Sequence, residues 1–218
     1  MISFKAVHKD MSSSFGNKPV YEIGKTYVFP LASRGVGGFH AAEDPLFCLN
    51  FIRPEEARYF KVELQGRLDA AGCTAGADSA AAAEKLTLLE ELSVEQMLWH
   101  AMLYRLSWAK LPVYKDVSGE RTMAIAAKAG QSVRASGTRC VAVAKGKNSS
   151  AEADGYNCLA IAEGEGSSAT ASGNQSLVVT FGKGTTATTK YGAWHLHLDP
   201  DAEPGKQAIW IKHEEKKK

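Results

Sequence analysis

Four segments spaced 18 residues apart decide the fold: Thr122-Met-Ala-Ile-Ala126, Cys140-Val-Ala-Val-Ala144, Cys158-Leu-Ala-Ile-Ala162 and Ser176-Leu-Val-Val-Thr180. The segments between them repeat with the same period, as in Ser132-Val-Arg-Ala-Ser-Gly137 and Ser150-Ala-Glu-Ala-Asp-Gly155. Each unit therefore consists of two halves, and each half is a short strand followed by a turn that contains glycine. A fixed period held without insertions is typical of solenoids, in which each coil stacks on the next. We predict a short, two-faced β-solenoid over residues 122–193.

Strand alternation assigns the faces of this solenoid, because successive side chains of a strand point to opposite sides. We call the sheet built from the first halves the first sheet, and the other the second sheet. In the first sheet we place the large aliphatic residues, such as Leu159 and Ile161, inside. In the second sheet alanines, such as Ala151 and Ala153, point inward. We expect glycine to supply positive φ in the turns, at Gly130, Gly137, Gly146, Gly155, Gly164 and Gly173.

This assignment leaves small, uncharged residues on the outside of the first sheet. They are Cys140, Ala142, Cys158, Ala160 and Val178. A flat surface without charge is unusual when it faces water. We predict that these residues are the self-association face of a homo-oligomer, with packing on the N-terminal part of the chain and docking of a foreign protein as the alternatives. We expect the outer face of the second sheet to be exposed to solvent, since it carries Arg134, Glu152 and Asp154.

The end of a solenoid exposes unpaired backbone groups and needs a cap. Residues 194–198 and 207–211 predict a capping hairpin in which Trp194 and Trp210 close the core. We interpret His195 and His197 as exposed residues of this cap. Asp154 is the only aspartate in the repeats, which argues against calcium. We therefore expect no bound metal and no cofactor.

The first hundred residues predict a mixed α+β domain. Residues 2–8, 19–29, 59–66 and 85–90 have strand patterns, and residues 70–83 predict a loop or a weak helix at 80–84. Ser93 and Gln96 form a capping-box pattern that starts a helix, which Pro112 ends near residue 109. The predicted fold is an α+β domain over 1–114, an all-β solenoid of 18-residue coils over 115–193, and a capping hairpin with a basic tail over 194–218.

Charge and hydropathy narrow the functional class. The net charge is +2, and only the tail concentrates positive charge. We therefore expect no nucleic-acid partner. No apolar run reaches the roughly 18 residues of a membrane span, so we expect a cytoplasmic protein without a membrane partner. Because the cytoplasm is a reducing compartment, we expect the four cysteines to be free thiols.

The N-terminal region resembles an uncharacterised domain family of bacteriophages and prophages. The similar blocks are Tyr21-Glu-Ile-Gly-Lys-Thr-Tyr27, Gly38-Phe-His-Ala41 with Pro45-Leu46, Val62-Glu-Leu-Gln-Gly66 and Lys85-Leu-Thr-Leu-Leu-Glu-Glu-Leu-Ser-Val-Glu95. The resemblance covers residues 1–100 and implies a phage or mobile-element protein that acts in the bacterial host's cytoplasm. It implies no established activity.

The order of elements between Gly38 and Gly66 also resembles ADP-ribosyltransferase-like folds. That resemblance implies that His40 lies near a nicotinamide-type cleft, which makes it the one candidate catalytic residue. The alternative interpretation is that His40 holds the glycine turn that precedes it.

Three functions follow from these observations. The leading hypothesis is a phage or prophage accessory protein that acts by binding, inhibits a host defence protein or another host enzyme, and uses its solenoid for oligomerisation or docking. The alternatives are an ADP-ribosyltransferase-like enzyme and a structural component of the virion.

Overall fold

The computed structural model describes residues 1–13, 20–30, 37–69, 80–190, 192–199, 201 and 208–212. The chain divides into two compact units, Met1–Ala101 and Met102–Lys218. This division falls within a helix, before the boundary predicted at residue 114.

The first unit is a small β-barrel with short helices. Its strands are β1 Ile2–His8, β2 Thr26–Val28, β3 Phe39–Ala42, β4 Ala57–Asp69 and β5 Ala80–Leu92. They form a sheet in the order β2-β5-β3-β1-β4, and the sheet closes because β5 also pairs with β4. The barrel core is built from aromatic and aliphatic side chains that include Phe39, Phe60, Leu64 and Leu86.

The long strand β5 closes the barrel, and its first part corrects a prediction. The weak helix predicted at residues 80–84 is wrong, because Ala80–Ala83 pair with β3 in an antiparallel ladder. Ala81, Ala82 and Ala83 are fully buried. The helix preference of alanine is small, and strand pairing together with burial outweighs it. The loop alternative predicted for residues 70–83 is likewise wrong at 80–83, and residues 70–79 lie outside the described residues.

The described residues form two helices, α1 Pro45–Phe51 in the first unit and α2 Val94–Ser107, within which the division between the units falls. The capping box predicted for α2 is confirmed. The backbone N–H of Ser93 donates to Gln96 Oε1 at 2.7 Å, and the N–H of Gln96 donates to Ser93 Oγ at 3.2 Å. Within the described ranges, neither helix has the length and apolar character that a membrane crossing requires.

The predicted solenoid is confirmed. Its strands are β6 Val117–Ser118, β7 Met123–Ala126, β8 Ser132–Ser136, β9 Val141–Ala144, β10 Ser150–Asp154, β11 Leu159–Ala162, β12 Ser168–Ser172, β13 Leu177–Phe181 and β14 Thr186–Thr189, followed by β15 Trp194–Leu198 and β16 Ala208–Lys212. The first sheet has the order β16-β15-β13-β11-β9-β7, and the second has the order β14-β12-β10-β8-β6. Coils stack in parallel with partners 18 residues apart, such as Leu159 and Leu177. An antiparallel pair, β15 and β16, ends the first sheet.

Glycine is required in the turns for two different reasons. Gly155 has φ +134°, and a Cβ atom there would lie 2.2 Å from the carbonyl oxygen of Gly137 in the preceding coil. Gly146 and Gly164 do not have the predicted positive φ. A Cβ atom at Gly146 would nevertheless lie 2.2 Å from the carbonyl oxygen of Lys128, and one at Gly164 would lie 2.3 Å from that of Gly146. Close stacking of successive turns therefore demands glycine even where the backbone conformation does not.

Candidate functional site: the solenoid interior and its C-terminal edge

The first sheet has the opposite orientation to the one predicted. Its small residues form one buried cluster with the inward alanines of the second sheet, so they point into the solenoid. Cys140, Ala142, Cys158, Ala160 and Val178 are all 0% exposed. The prediction that they form an exposed self-association face is therefore wrong. The physical reason is volume, because two short strands joined by tight turns enclose a space that only small side chains fill without strain.

Since strand faces alternate, the large aliphatic residues of the first sheet point away from this interior. Leu159 and Leu177 are nevertheless completely buried within the chain. Their predicted burial is correct, and their predicted position inside the solenoid is wrong. Both faces of the first sheet are buried in its central strands β9 and β11.

The interior contains a pair of stacked thiols. Cys140 Sγ and Cys158 Sγ, one coil apart, lie 3.1 Å from each other and are both buried. Each sulfur also lies near a backbone carbonyl oxygen, that of Ala135 at 3.1 Å for Cys140 and that of Gly137 at 3.2 Å for Cys158. The next residue in the same ladder is Ser176, whose Oγ accepts from the N–H of Cys158 at 3.2 Å. Two adjacent thiols at this distance form a unit rather than two independent side chains.

A buried arginine binds Asn157, the residue that precedes Cys158 in the chain. Arg105 is 0% exposed, and its Nη2 donates to Asn157 Oδ1 at 2.5 Å and to the carbonyl oxygen of Gln175 at 3.2 Å. The hydrogen bond with Cys140 lowers the pKa of Cys158, and the positive charge of Arg105 contributes in the same direction. The same hydrogen bond and burial raise the pKa of Cys140. The two thiols therefore differ in chemical character, with Cys158 the better stabilised as a thiolate.

His40 lies in β3 of the first unit, where it pairs with Ala82 of β5. Its carbonyl oxygen accepts a hydrogen bond from the buried Lys5 Nζ at 2.8 Å. The nearby Asp44 caps α1 by accepting from the N–H of Leu46 at 2.9 Å. The first contact joins β3 to β1 and the second caps α1, and neither involves the His40 side chain, whose catalytic role stays a prediction.

The C-terminal pair β15 and β16 closes one end of the first sheet. Trp194 is fully buried and packs on Trp210 with the ring centroids 5.6 Å apart. Lys212 Nζ lies 5.1 Å from the centroid of the Trp194 ring. The predicted capping hairpin is therefore confirmed, together with the pairing of its two tryptophans.

The other face of this pair contains the two histidines of the cap. Thr180 Oγ1 lies 3.0 Å from His195 Nε2 and 2.8 Å from His197 Nδ1. The hydroxyl group can donate to one ring and accept from the other, so it organises both side chains. Among the residues that the structure describes, no group of three or more His, Cys, Asp and Glu side chains is arranged to hold a metal ion.

Strand β16 forms the edge of the first sheet, a feature that the sequence interpretation missed. Ile209 is 58% exposed and Ile211 is 48% exposed. They lie directly across from His197 and His195, so the two isoleucines share one face. The alternation in Ala208-Ile-Trp-Ile-Lys212 is the signal that could have identified them.

The second sheet has the predicted wet outer face. Arg134 forms ion pairs with Asp154 and with Glu152, the latter at 3.8 Å, and these side chains are well exposed. Ser172 Oγ donates to Asp154 Oδ1 at 2.5 Å. The hydrogen bond from Ser172, followed by the pairing with Arg134, holds the pKa of Asp154 below its ordinary value.

The architecture is thus that of a small β-barrel domain followed by a β-solenoid of about four coils. Residues 1–100 match the family model of a domain of unknown function, DUF7666. The N-terminal part of the chain is therefore a DUF7666 domain. No curated protein and no solved structure shows significant similarity to the chain.

Proposed function

We propose that this protein works by binding, as a phage or prophage accessory protein in the bacterial cytoplasm, and that it self-associates through β16. Its target in this proposal is a host defence protein or another host enzyme, which it inhibits. The observation that supports binding through this strand is an edge that exposes Ile209 and Ile211. An exposed apolar edge strand is a template for pairing with another strand, and proteins usually blunt such edges.

The chemistry of β16 favours a second copy of this chain as the partner strand. A two-fold axis through Trp210 would pair β16 with itself in the antiparallel direction and would place Ile209 of one copy opposite Ile211 of the other. Lys212 would then lie opposite Ala208, so the strand's one charge would not meet its own copy. The pairing is self-complementary, as a two-fold interface requires.

Light scattering of the full chain at micromolar concentration tests the self-association. We expect a dimer for the native chain and a monomer for the double variant Ile209→Lys, Ile211→Lys, because two lysines would face the same two lysines across the axis. The matched control is Thr186→Lys, Thr188→Lys in β14, the edge strand of the second sheet, which should leave the dimer intact. A monomeric native chain, or a dimer that survives the lysines in β16, contradicts the proposed interface.

The inhibitory role has a separate test in cells. A bacterial strain that carries a defence system should plate a sensitive phage better when it expresses the native chain, and the monomeric β16 variant should lose that effect. Equal plating with and without the protein, across strains that each carry one defence system, contradicts the role.

The ADP-ribosyltransferase-like alternative is centred on His40 and predicts a different result. Purified protein would cleave NAD⁺ or transfer ADP-ribose to a host protein, and His40→Ala would abolish this activity without loss of the fold. A virion component, as the third function, would instead remain with purified phage particles. Either result, enzymatic activity that depends on His40 or retention on phage particles, would contradict the proposal that the protein acts only by binding in the cytoplasm.

A further inference from the structure

The stacked thiols Cys140 and Cys158 have a chemical role in addition to packing the solenoid interior. We propose that they are a redox site at which a small peroxide joins them in a disulfide between the second and third coils. The proposal does not depend on the function proposed above. It rests on the 3.1 Å separation of the two sulfur atoms and on the in-register stacking of the coils that carry them.

The backbone already has the spacing that a disulfide needs. The N–H of Leu159 donates to the carbonyl oxygen of Cys140 at 3.0 Å, so the ladder between the two coils includes the cysteine positions. Neighbouring strands lie about 4.8 Å apart, which is within the range of about 4.4–6.8 Å between the Cα atoms of a disulfide. The bond can therefore form with small changes in side-chain torsions and without separating the coils.

The two thiols have unequal roles in the reaction. The Cys158 thiolate, favoured by its hydrogen bond with Cys140 and by Arg105, attacks one oxygen of hydrogen peroxide. The O–O bond breaks, Cys158 becomes a sulfenic acid, and the hydroxide that leaves takes up the proton that Cys158 released, which gives the first water. The sulfur of Cys140 then attacks the sulfenic sulfur, its proton goes to the departing oxygen, and water leaves. Two thiols and one peroxide yield one disulfide and two waters.

Burial selects the kind of oxidant. Both cysteines are 0% exposed, so a bulky disulfide such as oxidised glutathione is excluded unless the coils separate. Hydrogen peroxide is close to the size of water, so a local opening of the coils too small for glutathione would admit it. The expected consequence is a solenoid that is held together more firmly under oxidising conditions.

Peptide mapping of the full chain after treatment with hydrogen peroxide tests the proposal. Trypsin cuts after Arg139, Lys145, Lys147 and Lys183, so each cysteine falls in its own peptide. Without reductant, we expect peptide 140–145 to be joined to peptide 148–183, with the loss of two hydrogen atoms. The link closes a loop of 18 residues, and a loop of this size should raise Tm by about 6–12 °C.

Two serine variants serve as matched controls, because Ser176 occupies the same ladder position in the following coil. Cys140→Ser should lose the link and the rise in Tm, and dimedone added together with denaturant after the peroxide treatment should trap a sulfenic acid on Cys158. In Cys158→Ser, trapping on Cys140 should be at least severalfold slower. Quantitative alkylation of both cysteines after peroxide treatment and unfolding, a link to Cys48 or Cys73 instead, or a rise in Tm that persists in both variants overturns the proposal.

Discussion

The substitution Ala160→Leu tests the orientation of the first sheet. Ala160 is completely buried, lies between Ala142 and Val178 in its ladder, and belongs to the cluster enclosed by the two sheets. A leucine adds three carbon atoms at a position where the side chains that face it from the second sheet are mostly the inward-pointing alanines of the repeat. Those alanines have no side-chain torsion with which to make room, so the coils themselves must move apart.

The magnitude follows from the cost of overpacking. Extra methylene groups in a well-packed core cost about 1–3 kcal/mol, and the rigid surroundings of Ala160 place the expected loss near 3 kcal/mol, the upper end of that range. For a chain of this size such a loss lowers Tm by about 6–12 °C. Urea denaturation followed by circular dichroism measures the free energy of unfolding, and a thermal scan measures Tm.

The matched control is Thr170→Leu on the outer face of the second sheet, in the same coil region. Thr170 alternates with inward-pointing Ala169 and Ala171, so its side chain points to the surface. Its replacement should change the free energy of unfolding by no more than about 0.5 kcal/mol. If Ala160→Leu is as stable as the native chain, the small residues do not fill the interior and the reasoning is refuted.

Two further predictions concern a helix cap and a surface carboxylate. Ser93→Ala removes the hydroxyl group that accepts from the N–H of Gln96, and it should lower the free energy of unfolding, measured by urea denaturation, by about 1 kcal/mol. Ser93→Thr should retain most of the stability. Equal losses in both variants would rule out the cap as the cause. Asp154 has a lowered pKa in the folded chain, so its stabilising contribution is present above its unfolded pKa and is lost as pH falls through the folded value, below about pH 4. Asp154→Asn should therefore destabilise the chain at neutral pH by no more than about 1 kcal/mol, since the pair with Arg134 is exposed. The difference in free energy of unfolding from the native chain should shrink toward pH 2. A difference that stays constant with pH would show that the charge of Asp154 is not responsible.

The sequence alone predicted the features that depend on neighbouring residues along the chain. The capping box at Ser93 and Gln96 is one example, because both hydrogen bonds join residues three positions apart. The coil length is another, because the 18-residue period puts equivalent residues in register by simple repetition. The hairpin with Trp194 and Trp210 follows for the same reason, from two alternating segments close in the chain.

The candidate site was predictable only in part. The sequence identified the ladder that contains Cys140 and Cys158, and it identified the pair His195 and His197. It did not reveal that the two sulfur atoms lie 3.1 Å apart inside the solenoid, or that Arg105, from a helix 52 residues earlier, binds Asn157 next to Cys158. Contacts at such separations depend on how coils and helices pack, which no local pattern records.

For the solenoid, the sequence by itself thus determined the period, the pairing partners and the alternation of the strands. Only the tertiary structure decided which side of the first sheet is the interior. Alternation shows which residues share a face, but either face of the first sheet could point into the solenoid. The usual preference for large aliphatic residues inside selects the wrong face here. The tight turns bring the two sheets so close that alanine and cysteine fill the space between them, while leucine and valine are buried on the opposite face. In the same way, the closure of the barrel by β4 and β5 overrides the helix preference of Ala80–Ala83, because pairing with distant strands outweighs a local propensity.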